Sequence, residues 1–157
     1  MADEITQATP AAGAQLSLQK VYIKDASFEV PGAPHIFQEQ GQSQVQLNLQ
    51  QQVGTLADNV YEVVLTVTVT CKLAEKTAYL AEVQQAGIFG VSGFDQANRD
   101  MVLATFCPNV LFPYARTAVA NMIQDGGFPP FLLQPINFEA LDDEQLRRHA
   151  EGATPNA

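Results

Sequence analysis

The sequence predicts an α+β fold in which a four-stranded antiparallel sheet, formed by the first part of the chain, is followed by helices. Three observations carry that expectation. Residues 60–73 place an apolar side chain at every second position against a mostly polar, Thr-rich set, an apolar helical segment bracketed by prolines and glycines follows later, and the composition is that of a chain with one real core. Of 157 residues, 46% are hydrophobic, with nine Phe and four Tyr, and single cores of roughly 100–150 residues are the commonest kind. Charged residues make up only 16%, below the ~25% of an average soluble chain. The body is therefore expected to fold, with uncharged surface left over of the kind an oligomer or a binding protein uses. Residues 1–14, rich in Ala, Thr, Gln and Pro, and residues 151–157 read as flexible tails around one domain spanning 15–150.

The first strand is expected over 16–30. Its apolar parity slips from even (Leu16, Leu18) to odd (Val21, Ile23) and back to even (Ala26, Phe28, Val30), which points to bulges or to an edge strand. Pro31, Gly32 and Pro34 end it and open a crossover holding Ile36 and Phe37. A shorter strand follows, where Val45, Leu47 and Leu49 alternate with Gln44, Gln46, Asn48 and Gln50. The clearest strand runs from Val60 to Leu73, with Tyr61, Val63, Leu65, Val67, Val69, Cys71 and Leu73 on one face and a Thr-rich opposite face. A turn at Ala74, Glu75 and Lys76 makes it a hairpin with the run 77–89.

The helical part begins over 109–124, with Pro108 and Pro113 early and Gly126 and Gly127 at the stop. Its apolar residues cover far more than one ~100° stripe, so one side is expected on the sheet and the other against a second subunit. Prolines keep 128–135 extended. Asn137 is placed to cap a last helix over 138–149, acidic at its start and basic at its end.

Charge and motif content remove several function classes. The net charge of −9 repels phosphate backbones and anionic lipid and favours basic partners, so nucleic acid is not an expected partner. The amino-terminal residues have neither the basic end nor the apolar run of a signal peptide, and no span is long enough to cross a bilayer; the expectation is a cytoplasmic protein without direct membrane insertion. Two Cys and two His, none at ligand spacing, support neither a metal site nor a disulfide framework. The run GIFGVSG matches no phosphate-loop pattern, and no nucleophile elbow is present. No catalytic residues, cofactor or enzyme activity are expected. Asp25, Ser27 and Glu29 project from one face of the first strand over about 13 Å, a solvated acidic face on composition alone. The Phe- and Pro-rich stretch 128–138 reads first as core, with a groove between it and the crossover 31–37 as the alternative.

The runs KDASFEVPGAPHIF (24–37), YEVVLTVTVT (61–70), YLAEVQQAGIF (79–89), CPNVLFPYAR (107–116) and GGFPPFLLQPINFEAL (126–141) resemble the SecB protein-export chaperone family. The resemblance implies helices packed on one face of the sheet and assembly as a homotetramer, a dimer of dimers. It implies an ATP-independent holdase that binds unfolded precursor proteins, keeps them translocation-competent, and delivers them to the SecA ATPase of the Sec export pathway. Carried over by position, docking of the basic, zinc-bearing carboxyl-terminal tail of SecA falls on Asp25, Glu29, Leu80 and Glu82, the zinc belonging to SecA. The client groove falls on Ile36, Phe37, Phe128, Phe131, Leu132, Leu133 and Phe138. Positions affecting the tetramer fall on Ala81, Val83 and Gln85, and the over-apolar helix adds Leu111, Ala115, Val119 and Met122 as an expected subunit interface. A Trp familiar in the family just after the crossover is absent, with Gly41 near its place. Two other readings differ in kind: a SecB-like chaperone serving a toxin–antitoxin pair, and an enzyme or small-molecule carrier on the same frame.

Overall fold

A computed structural model describes residues 13–152. The proposed tail 1–14 therefore lies almost entirely outside the described residues, as does most of 151–157. Four antiparallel strands, β1 (Gln15–Glu29), β2 (Ser43–Ala57), β3 (Val60–Leu73) and β4 (Lys76–Ser92), form one sheet in the order β1-β4-β3-β2. Helices α1 (Gln96–Ala104), α2 (Phe106–Asp125) and α3 (Phe138–Gly152) follow. The expected α+β architecture is present.

β1 is an edge strand, and its pairing with β4 shifts register twice, between Leu18 and Lys20 and between Ile23 and Asp25. Those are the two places where its apolar parity slips, because each extra residue turns the following side chains to the other face. The β3–β4 hairpin closes through Ala74 and Glu75, both at positive φ, the geometry of a two-residue turn that matches strand twist. The odd-numbered residues of β3 from Tyr61 to Cys71 and of β4 from Tyr79 to Val91 are buried, and their even-numbered neighbours mostly form the open face. α2 packs chiefly on β4 and β3.

Several elements differ from expectation. β2 runs to Ala57 and β4 to Ser92, both longer than their alternation suggested. Gly90 therefore joins Gly87 within β4, and of the three glycines only Gly93, at φ +78, takes a left-handed turn beyond it. A Cβ at Gly87 would sit 2.9 Å from the Leu111 side chain, so this glycine permits close contact between sheet and helix. α1 was not expected; Asp95 caps it, accepting a hydrogen bond from the Asn98 backbone N–H at 2.8 Å. The end of α2 is as expected, with Gly127 at φ +91 and the Phe128 N–H donating to the Ile123 carbonyl at 3.2 Å. Asn137 caps α3 by accepting from the Ala140 N–H at 3.0 Å, and the helix continues to Gly152, past the expected domain edge at 150.

The core lies between sheet and α2, where Val63, Leu65, Val67, Val69, Val83, Leu111, Val119 and Ile123 are completely buried. This changes the reading of the expected subunit interface. Leu111, Ala115 and Val119 have no exposed surface in the single chain, and neither have Ala81 and Val83; Gln85 retains 3%. Side chains so enclosed can shape a face that meets a partner, but they cannot touch one. Met122 alone of these interface positions is half-exposed, while α2 presents Pro113, Tyr114, Thr117 and Asn121 outward.

Candidate functional site

The two faces of the sheet carry different chemistry. On the open face, β1 lies beside β4 with Glu29 opposite Leu80, Ser27 opposite Glu82 and Asp25 opposite Gln84. Asp25 and Glu29 are exposed, and Leu80 and Glu82 half-exposed. The bulge at Lys24 makes this grouping possible, because without the register shift Asp25 would turn to the helix side. The structure thus brings Asp25, Glu29, Leu80 and Glu82 together as one acidic patch around a single apolar side chain.

The carboxylates of this face differ in their surroundings. Glu62 accepts from the Lys24 ammonium at 2.8 Å and from the Tyr22 hydroxyl. The Lys24 and Tyr22 hydrogen bonds hold its carboxyl below the usual carboxylate range. Burial, followed by the Glu62 contact, pushes the Tyr22 hydroxyl up to about 12. Glu82 instead accepts from the Thr68 hydroxyl at 2.9 Å, across the β3–β4 pair in which these residues stand directly opposite.

The helix side carries an aromatic ladder. Phe28 stacks on Tyr79 with ring centroids 5.7 Å apart, Tyr79 meets Phe128 at 4.9 Å, and Phe128 meets Phe37 at 5.1 Å. The ladder links β1, β4, the segment after α2, and the crossover, and its outer rung, Phe37, is 51% exposed. Gly127 allows this approach, since a Cβ there would stand 3.1 Å from the Phe37 ring. Beside it, Phe131 is half-buried and Leu132 is 64% exposed. The crossover is tethered by burial of Ile36 and by the ion pair between Glu39 and Lys76.

Not every residue expected in the groove lines it. Ile36, Leu133 and Phe138 are at least 97% buried, which makes them supports: Phe138, for example, packs edge-on against Phe112 at 5.9 Å. Sequence reasoning also missed an apolar stripe. Val45, Leu47 and Val53 of β2 remain 38–47% exposed, although they share the face on which α2 sits, because α2 covers β3 and β4 rather than the sheet's far edge. Their alternation was legible, whereas their exposure depends on where the helix lands.

Among the described residues no group of three or more His, Cys, Asp or Glu could hold a metal, and no helix is long and apolar enough to cross a membrane. Cys107 is enclosed in the core, where burial pushes its thiol up to about 12, so it is protonated and inert as a nucleophile at neutral pH.

Residues 9–149 match the family described as "Preprotein translocase subunit SecB". The chain is 54% identical over 159 residues to a "Protein-export protein SecB" of Xanthomonas campestris pv. campestris (strain 8004), covering 98% of this chain and 94% of the relative. It is 53% identical over 162 residues to the protein of the same name from Stenotrophomonas maltophilia (strain K279a), with coverage of 99% and 94%. In fold it is similar to a Mycobacterium tuberculosis SecB-like chaperone solved with a ChAD peptide from the HigA1 antitoxin. That match has a TM-score of 0.65 and 19% identity, and covers 81% of this chain and 93% of the other.

Proposed function

The chain belongs to the SecB family of protein-export chaperones, a family of chaperones and not enzymes, and from that premise we propose that it is an ATP-independent cytoplasmic holdase. It binds unfolded precursor proteins, keeps them translocation-competent and passes them to the SecA ATPase. The observation that carries this reading is the pairing of an exposed aromatic and apolar surface on the helix side with an acidic patch on the opposite face of the same sheet.

The helix side supplies binding without chemistry. Apolar surface removed from water stabilises a complex by roughly 25 cal/mol per Å² and depends little on exact sequence. Folded proteins have hidden such surface, so non-native chains are selected. Phe37, Phe128, Phe131 and Leu132, with Val45, Leu47 and Val53 as an extension along β2, make up the client surface. Release then depends on competition or on a partner, because the protein spends no nucleotide. In the proposed dimer of dimers, one long client reaches several such surfaces, and each weak contact raises the local concentration for the next. Gln85 donates to the Tyr22 carbonyl at 3.1 Å and so supports the β1 bulge. Through it, buried β4 residues influence an assembly they do not touch.

The open face supplies docking. Asp25, Glu29 and Glu82 around Leu80 suit a basic segment with one apolar contact, the chemistry of the zinc-bearing tail of SecA. Relatives above 50% identity are named for protein export, while the antitoxin-bound neighbour, at 19%, shares the fold. Export is therefore the reading adopted.

The deciding experiment is refolding of a denatured precursor in the presence of size-selected protein. Delayed refolding without nucleotide is expected, and a compact monomer indifferent to denatured chains would refute the holdase reading. Asp25→Lys or Glu82→Lys should weaken SecA binding while client holding persists. That contact should also weaken with added salt, since exposed charges are screened within ~8 Å at physiological ionic strength.

A further inference from the structure

We infer that Thr68 is a positioning residue for the acidic docking face, fixing the Glu82 carboxylate from the β3 side without neutralising it. The inference rests on the reading of the open face as the SecA docking surface. Two carboxylates on this face, Glu62 and Glu82, are held by donors of different kinds. Glu62 has both oxygens engaged, Oε1 by the Lys24 ammonium and Oε2 by the Tyr22 hydroxyl. Its charge is matched inside the chain, so it has little to offer a partner. Glu82 has one oxygen engaged, Oε2, and its donor is the neutral hydroxyl of Thr68 at 2.9 Å. Among the described residues no Lys or Arg forms an ion pair with it.

A hydroxyl donor orients a carboxylate and leaves its full negative charge in place, whereas a cation orients and cancels it. Glu82 therefore keeps its charge and a free Oε1. Thr68 is well suited to the task. It sits in the middle of β3, directly opposite Glu82 in the ladder, and its branched Cβ restricts the hydroxyl to few rotamers. A free Glu side chain must be ordered when a partner binds, which weakens the complex. Here part of that ordering is done before the partner arrives.

The test is a double-mutant cycle on the full chain, with SecA affinity measured by calorimetry. Thr68→Val replaces the hydroxyl by a methyl in a strand that tolerates β-branched residues. It should weaken SecA binding by roughly three- to tenfold, the effect of one hydrogen bond to a half-solvated charge. Thr68→Ser should restore affinity to within about twofold, because the donor returns. In a Glu82→Gln background, Thr68→Val should have almost no further effect, and client holding should be unchanged throughout. If Thr68→Val binds SecA as tightly as the parent while Glu82→Gln binds weakly, the positioning role is overturned and the docking face stands. A Thr68→Val loss of the same size with and without Glu82 also overturns it, since the effect would not pass through that carboxylate. Parent-like affinity of both Glu82→Gln and Asp25→Lys would overturn the docking surface and this inference together.

Discussion

Replacing Phe37 by alanine should separate the outer rung of the aromatic ladder from the core that supports it. The ring is 51% exposed and meets Phe128 at 5.1 Å. Fully burying a Phe is worth about 1.5–3 kcal/mol, so the covered half contributes about 1 kcal/mol to folding. The contact with Phe128 adds about 0.5 kcal/mol, the low end for an aromatic pair that is partly solvated. Losing both, about 1.5 kcal/mol, should lower Tm by about 3–6 °C in a domain of this size. Under the proposed function a client covers the exposed half, and its removal should cost about 1 kcal/mol, or about fivefold in Kd for each groove. The assay is fluorescence anisotropy with a permanently unfolded, labelled client, run beside a thermal melt on the same preparation. Phe37→Leu, which restores apolar bulk, should recover client affinity to within about twofold. A Tm decrease of the expected size with unchanged client affinity would refute the reasoning, because Phe37 would then serve packing alone.

Other outcomes follow from the same structure. Leu132→Asp, at a side chain 64% exposed, should change stability by less than about 0.5 kcal/mol yet weaken client holding, as read by refolding delay. Leu111→Ala should lower stability by about 2–5 kcal/mol in a denaturant melt, because Leu111 fills the core beside Gly87; a change in oligomer mass with unchanged subunit stability would contradict that placement. Glu75→Gly should stabilise the hairpin by about 0.5–1 kcal/mol, since Glu75 sits at φ +67, measurable as a raised denaturation midpoint. Burial raises Tyr22, Tyr79 and Cys107 each to about 12. Above their ordinary values near 9–10 the unfolded chain loses protons that the native chain keeps, so stability should hold below about pH 9 and fall as pH rises toward 12. Ionisation of Tyr22 and Tyr79 should appear together with unfolding, and ionisation of these two near the ordinary tyrosine value of about 10 with the fold intact would contradict the burial.

Much of the fold was legible because period-two alternation reports directly which residues face the core. β3, its turn and the two parity slips of β1 follow from that rule alone, and the slips coincide with the observed register shifts. The lengths of β2 and β4 were not legible: the run Gln50–Gln52 and the glycine at 90 hide strand ends that a neighbour's hydrogen bonds sustain. α1 was overlooked although Asp95 followed by Asn98 is a capping signal, because its apolar residues are too few to form a stripe. For the site, the acidic face and the positions of Phe37 and Leu132 could be read from the residues and the family resemblance. The division of labour in 128–138 could not. Leu133 and Phe138 look like Leu132 and Phe131 in sequence, and only the path of a proline-straightened segment decides which of them point inward. Likewise the breadth of apolar surface on α2 suggested a second subunit against residues that its own sheet already encloses.

The alternation within β1 sets Phe28 and Glu29 back to back: Phe28 pairs with Ala81 and joins the aromatic ladder, whereas Glu29 pairs with Leu80 on the acidic patch. Under the proposed function, cargo and motor would approach a shared wall one residue thick from opposite directions, with no side chain of either surface shared between them. The same thinness makes the wall unforgiving of length changes. Inserting one residue between Asp25 and Glu29 without a compensating bulge would turn the residues on one side of it to the other face, so that Asp25 and Glu29 would no longer share the acidic patch.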